Sequence, residues 1–445
     1  MDSISQSSDP HRVNSNPGSK KSSRQDRSQR PQRNVNPLQD GIRQFVENHV
    51  PASLLSELNL SLDTLTSNLP KRFTIYEPLL LLPANAFSAP PSWGALYTNL
   101  NAEQRKELYA SIAKASNRKG VTHIAVNAPI SLSNAQGQEN RMRSPVGLIP
   151  LYGDFGPGFM ASKLGDESAQ PSAEDLEAAF WVRTSQNQGI TQIWAPLYTM
   201  FSRGNVTEKA RILGQGPSGH IFEGLNEQSL HGHTMANISV VDLYAGIGYF
   251  VFSYLRRGVK RVWGWELNGW SVEGLRRGCV ANRWGYRVVK VLDDGEIDGG
   301  VQGLVDGLTD LDRVVIFYGD NRFAADILAK IRSLMETQET WNPVRHVNLG
   351  LLPSSQPSWD NACRMLDLQS GGWLHVHENV DIREIDQKKR DIVEEISRLR
   401  TRVAGEQAAL YEPVAHCCHV EHVKTYAPGV MHCVFDIRVS DKKNI

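Results

Sequence analysis

VVDLYAGIGYF, residues 240–250, runs as an apolar strand that ends in Asp242, turns through Gly246 and Gly248, and enters a helix. Glycines in such a turn let the chain bend tightly and bring backbone N–H groups close to a ligand at the helix N-terminus. Downstream the pattern repeats as strand then helix, which predicts a parallel sheet covered by helices. The first two strands are expected over 240–244 and 261–266, with helices over about 249–257 and 270–282. Later strands are expected over 314–318, 344–351, 372–377, 415–424 and 432–439. The Gly- and Asp-rich stretch 286–312 reads as a surface insertion ahead of the third strand. Residues 231–445 are therefore expected to form one Rossmann-type domain.

Upstream the text changes character. Residues 1–38 are Ser, Asn, Gln, Pro and Arg with almost nothing apolar, so they cannot bury enough surface to offset the entropy of ordering. A disordered basic tail is expected there. Between 39 and 230 helical spacing (Ile42, Phe45, Val46, then Leu54, Leu55, Leu58) gives way to strand-like FTIYEPLLLL, THIAVNA and GLIPLYG, with a helical run near 102–115. This predicts an α+β domain ahead of the α/β one. The whole chain has 445 residues, 48 basic and 48 acidic, and such a balance neither requires nor excludes a nucleic-acid partner. Five cysteines (Cys279, Cys363, Cys417, Cys418, Cys433) show no disulfide-like spacing, which points to a reducing compartment. Purely apolar runs such as Leu79 to Leu82 are far short of the ~20 residues a membrane helix needs, and no signal-peptide core is visible. The expectation is a soluble, cytoplasmic protein with no membrane partner.

Chemistry concentrates at the ends of the expected strands. Glu266 lies eighteen residues after Gly248 at the end of the second strand, where a carboxylate can accept hydrogen bonds from both hydroxyls of a ribose. Val251 stands where a nicotinamide-binding G-x-G-x-x-G would carry its third glycine, which favours S-adenosylmethionine over a dinucleotide. The third expected strand ends in FYGDNR, placing Asp320 and Asn321 at the same edge, where carboxylate and amide can read an adenine amino group and ring nitrogen. A ligand-free structural turn is the bland alternative for the glycines.

The runs WAPLYTMFSRGNVTEKARI (194–212), VVDLYAGIGYF, FYGDNR (317–322), HVNLGLLPSSQPSW (346–359), GGWLHVHENV (371–380) and VKTYAPGVMHCVFDIRV (423–439) together resemble the tRNA wybutosine-synthesizing protein 2 family. LPKRFTIYEPLLLLP (69–83) looks like that family's N-terminal domain. The resemblance implies a class I methyltransferase-like fold and transfer of the 3-amino-3-carboxypropyl group of S-adenosylmethionine to the tricyclic wyosine precursor (4-demethylwyosine) of phenylalanine tRNA. The target base lies just 3′ of the anticodon, and other enzymes of the pathway are the implied protein partners. It implies cofactor contacts at Ser202, Lys209, Glu266, Asp320 and Asn321, beside Asp242, Gly246 and Gly248 of the glycine turn. Lys209 is the candidate for the methionine carboxylate, helped by Ser202. The loop from Asn348 through Pro353 to Ser355 is expected to face the nucleobase.

Two departures from the family pattern stand out. Asn268 is followed by Gly269 where the family has Pro, so the helix loses a residue that presets its first turn and looser cofactor binding is expected. The 286–312 stretch lengthens the path between Glu266 and Asp320. The related guanine-N1 tRNA methyltransferases use an acidic base near the loop, and no carboxylate stands between Asn348 and Ser355. Methyl transfer to guanine is still the first alternative, and a non-catalytic RNA-binding scaffold the second. His416, Cys417, Cys418, His419 and His422 lack the spacing of a zinc site, so no metal is expected. His375 and His377 read as packing residues on one strand face. Arg203, Lys209, Arg211, Arg322 and Lys424 are the candidates for tRNA phosphate contacts.

Overall fold

The computed structural model describes residues 36–67, 69–127, 148–156, 170–199, 201, 206–216, 222–226, 228–230, 232–405 and 413–441. Nearly all of the expected tail, and both Ser202 and Arg203, lie outside this set. The described part opens with helices α1 (Pro37–His49), α2 (Ala52–Glu57) and α3 (Leu62–Ser67). A small sheet follows, in order β1 (Thr74–Tyr76), β2 (Leu79–Leu82), β3 (His123–Val126) and β4 (Ile149–Tyr152), with α4 (Pro91–Asn99) and α5 (Ala102–Ser116) between its second and third strands. The apolar stripe Leu38, Ile42, Phe45 and Val46 of α1 is buried, and each such side chain contributes roughly 1.5–3 kcal/mol by leaving water. α5 is started by a capping box between Asn101 and Gln104. Helix α6 (Ala173–Ala178) and the hairpin β5 (Val182–Gln186) and β6 (Ile190–Trp194) lead to α7 (Val206–Ile212).

The rest forms an eight-stranded sheet. Its members are β7 (Ser239–Asp242), β8 (Arg261–Glu266), β9 (Gly285–Lys290), β10 (Asp312–Tyr318), β11 (Val344–Leu349), β12 (Gly372–Asp381), β13 (Pro413–Ala427) and β14 (Val430–Asp441). They lie in the order β13-β14-β12-β11-β7-β8-β10-β9. From β12 to β9 every pairing is parallel, and β14 and β13 close the other edge antiparallel. This is a Rossmann-type, class I methyltransferase-like sheet. Its interstrand helices are α8 (Val251–Arg257), α9 (Gly269–Asn282), α10 (Gly300–Gly307), α11 (Ala324–Thr337), α12 (Trp359–Met365) and α13 (Ile385–Ala404). One core gathers Trp263, Trp265 and Phe317 with side chains of α11, α12 and α13. The opposite core gathers Val240, Val262 and Ile316 with side chains of α7, α8 and α9. Central strands buried on both faces read as continuous apolar runs, which is why the sequence announces them.

The 286–312 stretch is a correction. It is an edge strand and a helix, β9 and α10, with β9 in parallel register against β10. Arg287 and Lys290 mark it as an edge, where charged side chains keep a strand from pairing with other chains.

Because β8 follows β7 on one side while β11 lies on the other, the chain reverses direction across the sheet between β7 and β11. Ligands of open α/β sheets bind at such a reversal, outside the carboxyl ends of the strands. A further cluster joins the N-terminal part to this place, since Ile247 of the glycine turn packs with Tyr76, Leu79, Val182 and Trp194.

Candidate active site

Register alone aligns the strand ends. Asp242 stands opposite Gly264 and Asn348, while Glu266 stands opposite Tyr318, two residues before Asp320. Beyond these ends opens a crevice of about 840 Å³, walled by Gly246 and Tyr249, by Glu266 and Leu267, by residues 319–322, and by residues 350–354. A second cavity of about 750 Å³ lies between Trp181 and α9, away from the strand ends.

The turn requires its glycines. Gly246 and Gly248 adopt φ of +54° and +87°, and a Cβ on Gly248 would sit 2.7 Å from the Phe252 ring. The freed backbone then meets Glu266. Gly246 N–H donates to Oε2 at 2.8 Å and Asn268 N–H donates to Oε1 at 2.8 Å. Burial pushes the Glu266 carboxyl up from its ordinary range, and these backbone donors oppose the shift. A carboxylate has about four acceptor directions, and with Leu267 N–H as a third backbone donor the outward side of the group is what is left for a ligand.

Asp242 is fully buried at the end of β7. Its Oδ1 accepts Tyr244 N–H at 3.2 Å, whereas Oδ2 has no hydrogen-bond partner among the described residues. Burial raises its pKa to about 7, and the nearby Glu266 charge adds to the rise. A raised carboxyl pKa means the folded protein keeps a proton that the unfolded chain has lost. The corresponding stability is full below about pH 4, falls as pH rises, and is gone above about 7. Asp242→Asn, which cannot ionise, should therefore gain Tm relative to wild type between pH 5 and pH 8. Thermal unfolding at the two pH values checks this, and parallel pH profiles of the two proteins would contradict it.

On the opposite wall Asp320 Oδ1 accepts Arg322 N–H at 2.9 Å, and Asn321 Nδ2 donates to Leu243 O at 2.7 Å. Asn361 Nδ2 donates to Asn321 O at 3.0 Å and fixes that corner. Lys209 is brought close from α7. It is buried, its Nζ donates to Gln192 Oε1 at 3.0 Å, and it lies over the rings of Phe201 and of Tyr249, which lines the crevice. Burial lowers its pKa to about 8. No carboxylate among the described residues pairs with it, and a buried cation of this kind suits an anionic ligand group.

Several expectations move. The Asn348 side chain does not face the crevice: it is buried beneath it, where Tyr254 O–H donates to its Oδ1 at 3.2 Å. Pro353 does line the crevice, as part of the 350–354 wall. Arg211 and Lys209 are buried and cannot reach a phosphate on the surface, while Arg322 and Lys424 are exposed. Ser202 and Arg203 lie outside the described residues. Gly269 is not simply a lost proline. Its N–H donates to Gln170 Oε1 at 3.0 Å, a bond proline could not make, and Asn268 caps α9 by accepting Trp270 N–H at 2.9 Å. Gln170 also accepts Tyr318 O–H at 2.6 Å, so one side chain from before α6 clasps the ends of β8 and β10. Sequence reasoning missed Gln170, because nothing local marks a partner 99 residues away. His375 and His377 are buried in the sheet, bonded to Asp436 and His432.

No family model matches the chain. Among curated proteins it is similar to tRNA wybutosine-synthesizing protein 2 of Schizosaccharomyces pombe, 36% identical over 369 residues that cover 83% of this chain and 72% of the relative. It is also similar to tRNA wybutosine-synthesizing protein 2 of Saccharomyces cerevisiae, 30% identical over 429 residues that cover 90% of this chain and 80% of the relative. Among solved structures, P. horikoshii TYW2 in complex with MeSAdo is similar at 17% identity, with a TM-score of 0.48 over 90% of this chain and 99% of that one.

Proposed function

The chain belongs to the tRNA wybutosine-synthesizing protein 2 family, and from that premise we infer that the crevice at the end of β7, β8, β10 and β11 is where it works on tRNA. The protein is an S-adenosylmethionine-dependent tRNA transferase that transfers the 3-amino-3-carboxypropyl group in wybutosine biosynthesis. One observation supports this reading of the crevice: the Glu266 carboxylate stands at the strand end, aimed by the backbone N–H groups of Gly246 and Asn268.

The residues fit the donor. Glu266 would accept both ribose hydroxyls, Asp320 and Asn321 would read adenine, and the backbone at Gly246 and Gly248 would lie against the nucleoside. Lys209, a buried cation without a carboxylate partner among the described residues, would hold the methionine carboxylate. Ser202 would assist it. Asp242, with Oδ2 unpartnered, lies beneath the same turn. Bound there, S-adenosylmethionine supplies a sulfonium with three electrophilic carbons. Which of them is attacked depends on where the protein holds the acceptor base, so the crevice wall is part of the chemistry.

The acceptor is the tricyclic wyosine precursor next to the anticodon of phenylalanine tRNA, met in the cytoplasm. No helix among the described residues is long and apolar enough to cross a membrane. The exposed Arg322 at the crevice mouth is a phosphate contact on this reading, with Lys424 a second on β13. The test compares phenylalanine tRNA carrying the precursor with the same tRNA carrying guanosine at that position. Mass spectrometry of the digested product should show the aminocarboxypropyl increment on the first alone. An increment on the guanosine tRNA, or on neither, would overturn the assignment.

A further inference from the structure

The wall formed by residues 350–354 is held from behind. Glu378 projects from β12 and its side chain is only 2% exposed, although no function described so far uses it. Its Oε1 accepts Ser354 O–H at 2.9 Å and Ser355 N–H at 3.1 Å. Its Oε2 pairs with Lys388 Nζ at 3.1 Å, and that lysine is 28% exposed. Ser354 and Glu378 also form an isolated antiparallel bridge, and Asn379 N–H donates to Pro353 O at 2.8 Å. Ser355 Oγ in turn accepts the indole N–H of Trp359 at 3.1 Å. Pro353 and Ser354 of the wall, and the buried Ser355 behind them, are thus tied to two consecutive residues of one strand.

We propose that Glu378 is a positioning residue for the acceptor base: its buried carboxylate sets the Pro353–Ser355 segment against which the nucleobase is held. The inference rests on the reading of the crevice as the transfer site. Its logic is one of separate walls. Glu266, Asp320 and Asn321, which serve the donor, stand at the end of β8 and just past the end of β10, whereas Glu378 acts from β12 on the loop after β11. Removing the carboxylate leaves Ser355 N–H buried without its acceptor and releases Ser354. The donor side is untouched. Loss of about 1 Å of alignment at a reacting centre can cost about 100-fold in rate without loss of binding. Charge on Glu378 matters to the clamp mainly through Lys388, which can turn to solvent, so a neutral side chain with an acceptor oxygen in the same place should serve.

The experiment uses the full chain, with single-turnover transfer from S-adenosylmethionine to precursor-bearing phenylalanine tRNA and donor affinity by calorimetry. Glu378→Ala should slow transfer by about 30- to 100-fold while donor Kd stays within about 2-fold. Glu378→Gln should restore the rate to within about 5-fold of wild type, because its amide oxygen still accepts from Ser354 and Ser355. Ser354→Ala, which removes one bond and leaves the fold intact, should fall between them. A Glu378→Ala enzyme at wild-type rate overturns the proposal. Equal loss in the Ala and Gln variants also overturns it, since the carboxylate would then be needed as a base. Parallel loss of donor affinity would overturn it too, showing a collapsed crevice. Absence of transfer by the wild-type chain would instead overturn the reading of the site.

Discussion

Glu266→Ala is expected to weaken S-adenosylmethionine binding by about 100-fold or more, with the fold retained. Glu266 accepts a backbone N–H at each oxygen, from Gly246 and from Asn268. These bonds, with Leu267 N–H beside them, aim the carboxylate at the crevice, where a pair of ribose hydroxyls would donate to it. Hydrogen bonds to a charged acceptor contribute roughly 1.5–3 kcal/mol each, and a pair lost together gives a factor of 100 at the low end of that range. The crevice is open enough for water to take over the two backbone donors, so the penalty falls on binding and not on stability. Glu266→Gln should lose less, because one oxygen acceptor survives. Calorimetric titration is the check, and an alanine variant within about 3-fold of wild-type affinity would remove Glu266 from the donor site.

The largest effect on stability is expected at Arg211. It is fully buried between Glu208, with Nη2 to Oε1 at 2.7 Å, and Asp436, with Nη1 to Oδ2 at 2.5 Å. His375 Nδ1 reaches the same Asp436 at 2.7 Å. Arg211→Ala would leave two buried carboxylates without their cation, and breaking a buried pair in this way costs about 3–5 kcal/mol. Tm should fall on the order of 5 °C or more. Burial opposes ionisation of Asp436, but Arg211 and His375 outweigh it and hold its carboxyl well below the usual range. A depressed carboxyl contributes stability above its unfolded pKa of about 3.9 and loses it as pH falls through the folded value. Without the cation, burial would raise both carboxyl pKa values, so the Arg211→Ala deficit should be largest near neutral pH and shrink as acid protonates Glu208 and Asp436. The same helix carries Lys209, so the variant should also bind the donor less tightly. An Arg211→Ala protein that melts with wild type would show that the network is not structural.

The sheet was readable because its central strands are buried on both faces and its turn glycines are forced. β9 was not, since an edge strand half-exposed to water alternates Arg, Val and Lys as a loop might. Candidate site residues at strand ends follow from the rule that parallel strands point their carboxyl ends at the ligand. Asn348 failed that rule by one position: as the penultimate residue of β11 it points into the core, and the wall begins only at Gly350. Arg211 looked like a surface cation because its partner Asp436 comes 225 residues later. Glu378 and Gln170 were invisible for the same reason, as each acts on a segment far away in sequence. Local pattern reports which backbone is forced, and long-range pairing decides which polar side chains face the crevice.

The central claim concerns which group leaves the sulfonium. The direct measurement supplies the purified chain with precursor-bearing phenylalanine tRNA and S-adenosylmethionine labelled either in its methyl group or in its amino acid carbons. Label should enter tRNA from the amino acid carbons alone, with methylthioadenosine released. Entry from the methyl group, with S-adenosylhomocysteine released, would contradict the account and make the protein a methyltransferase.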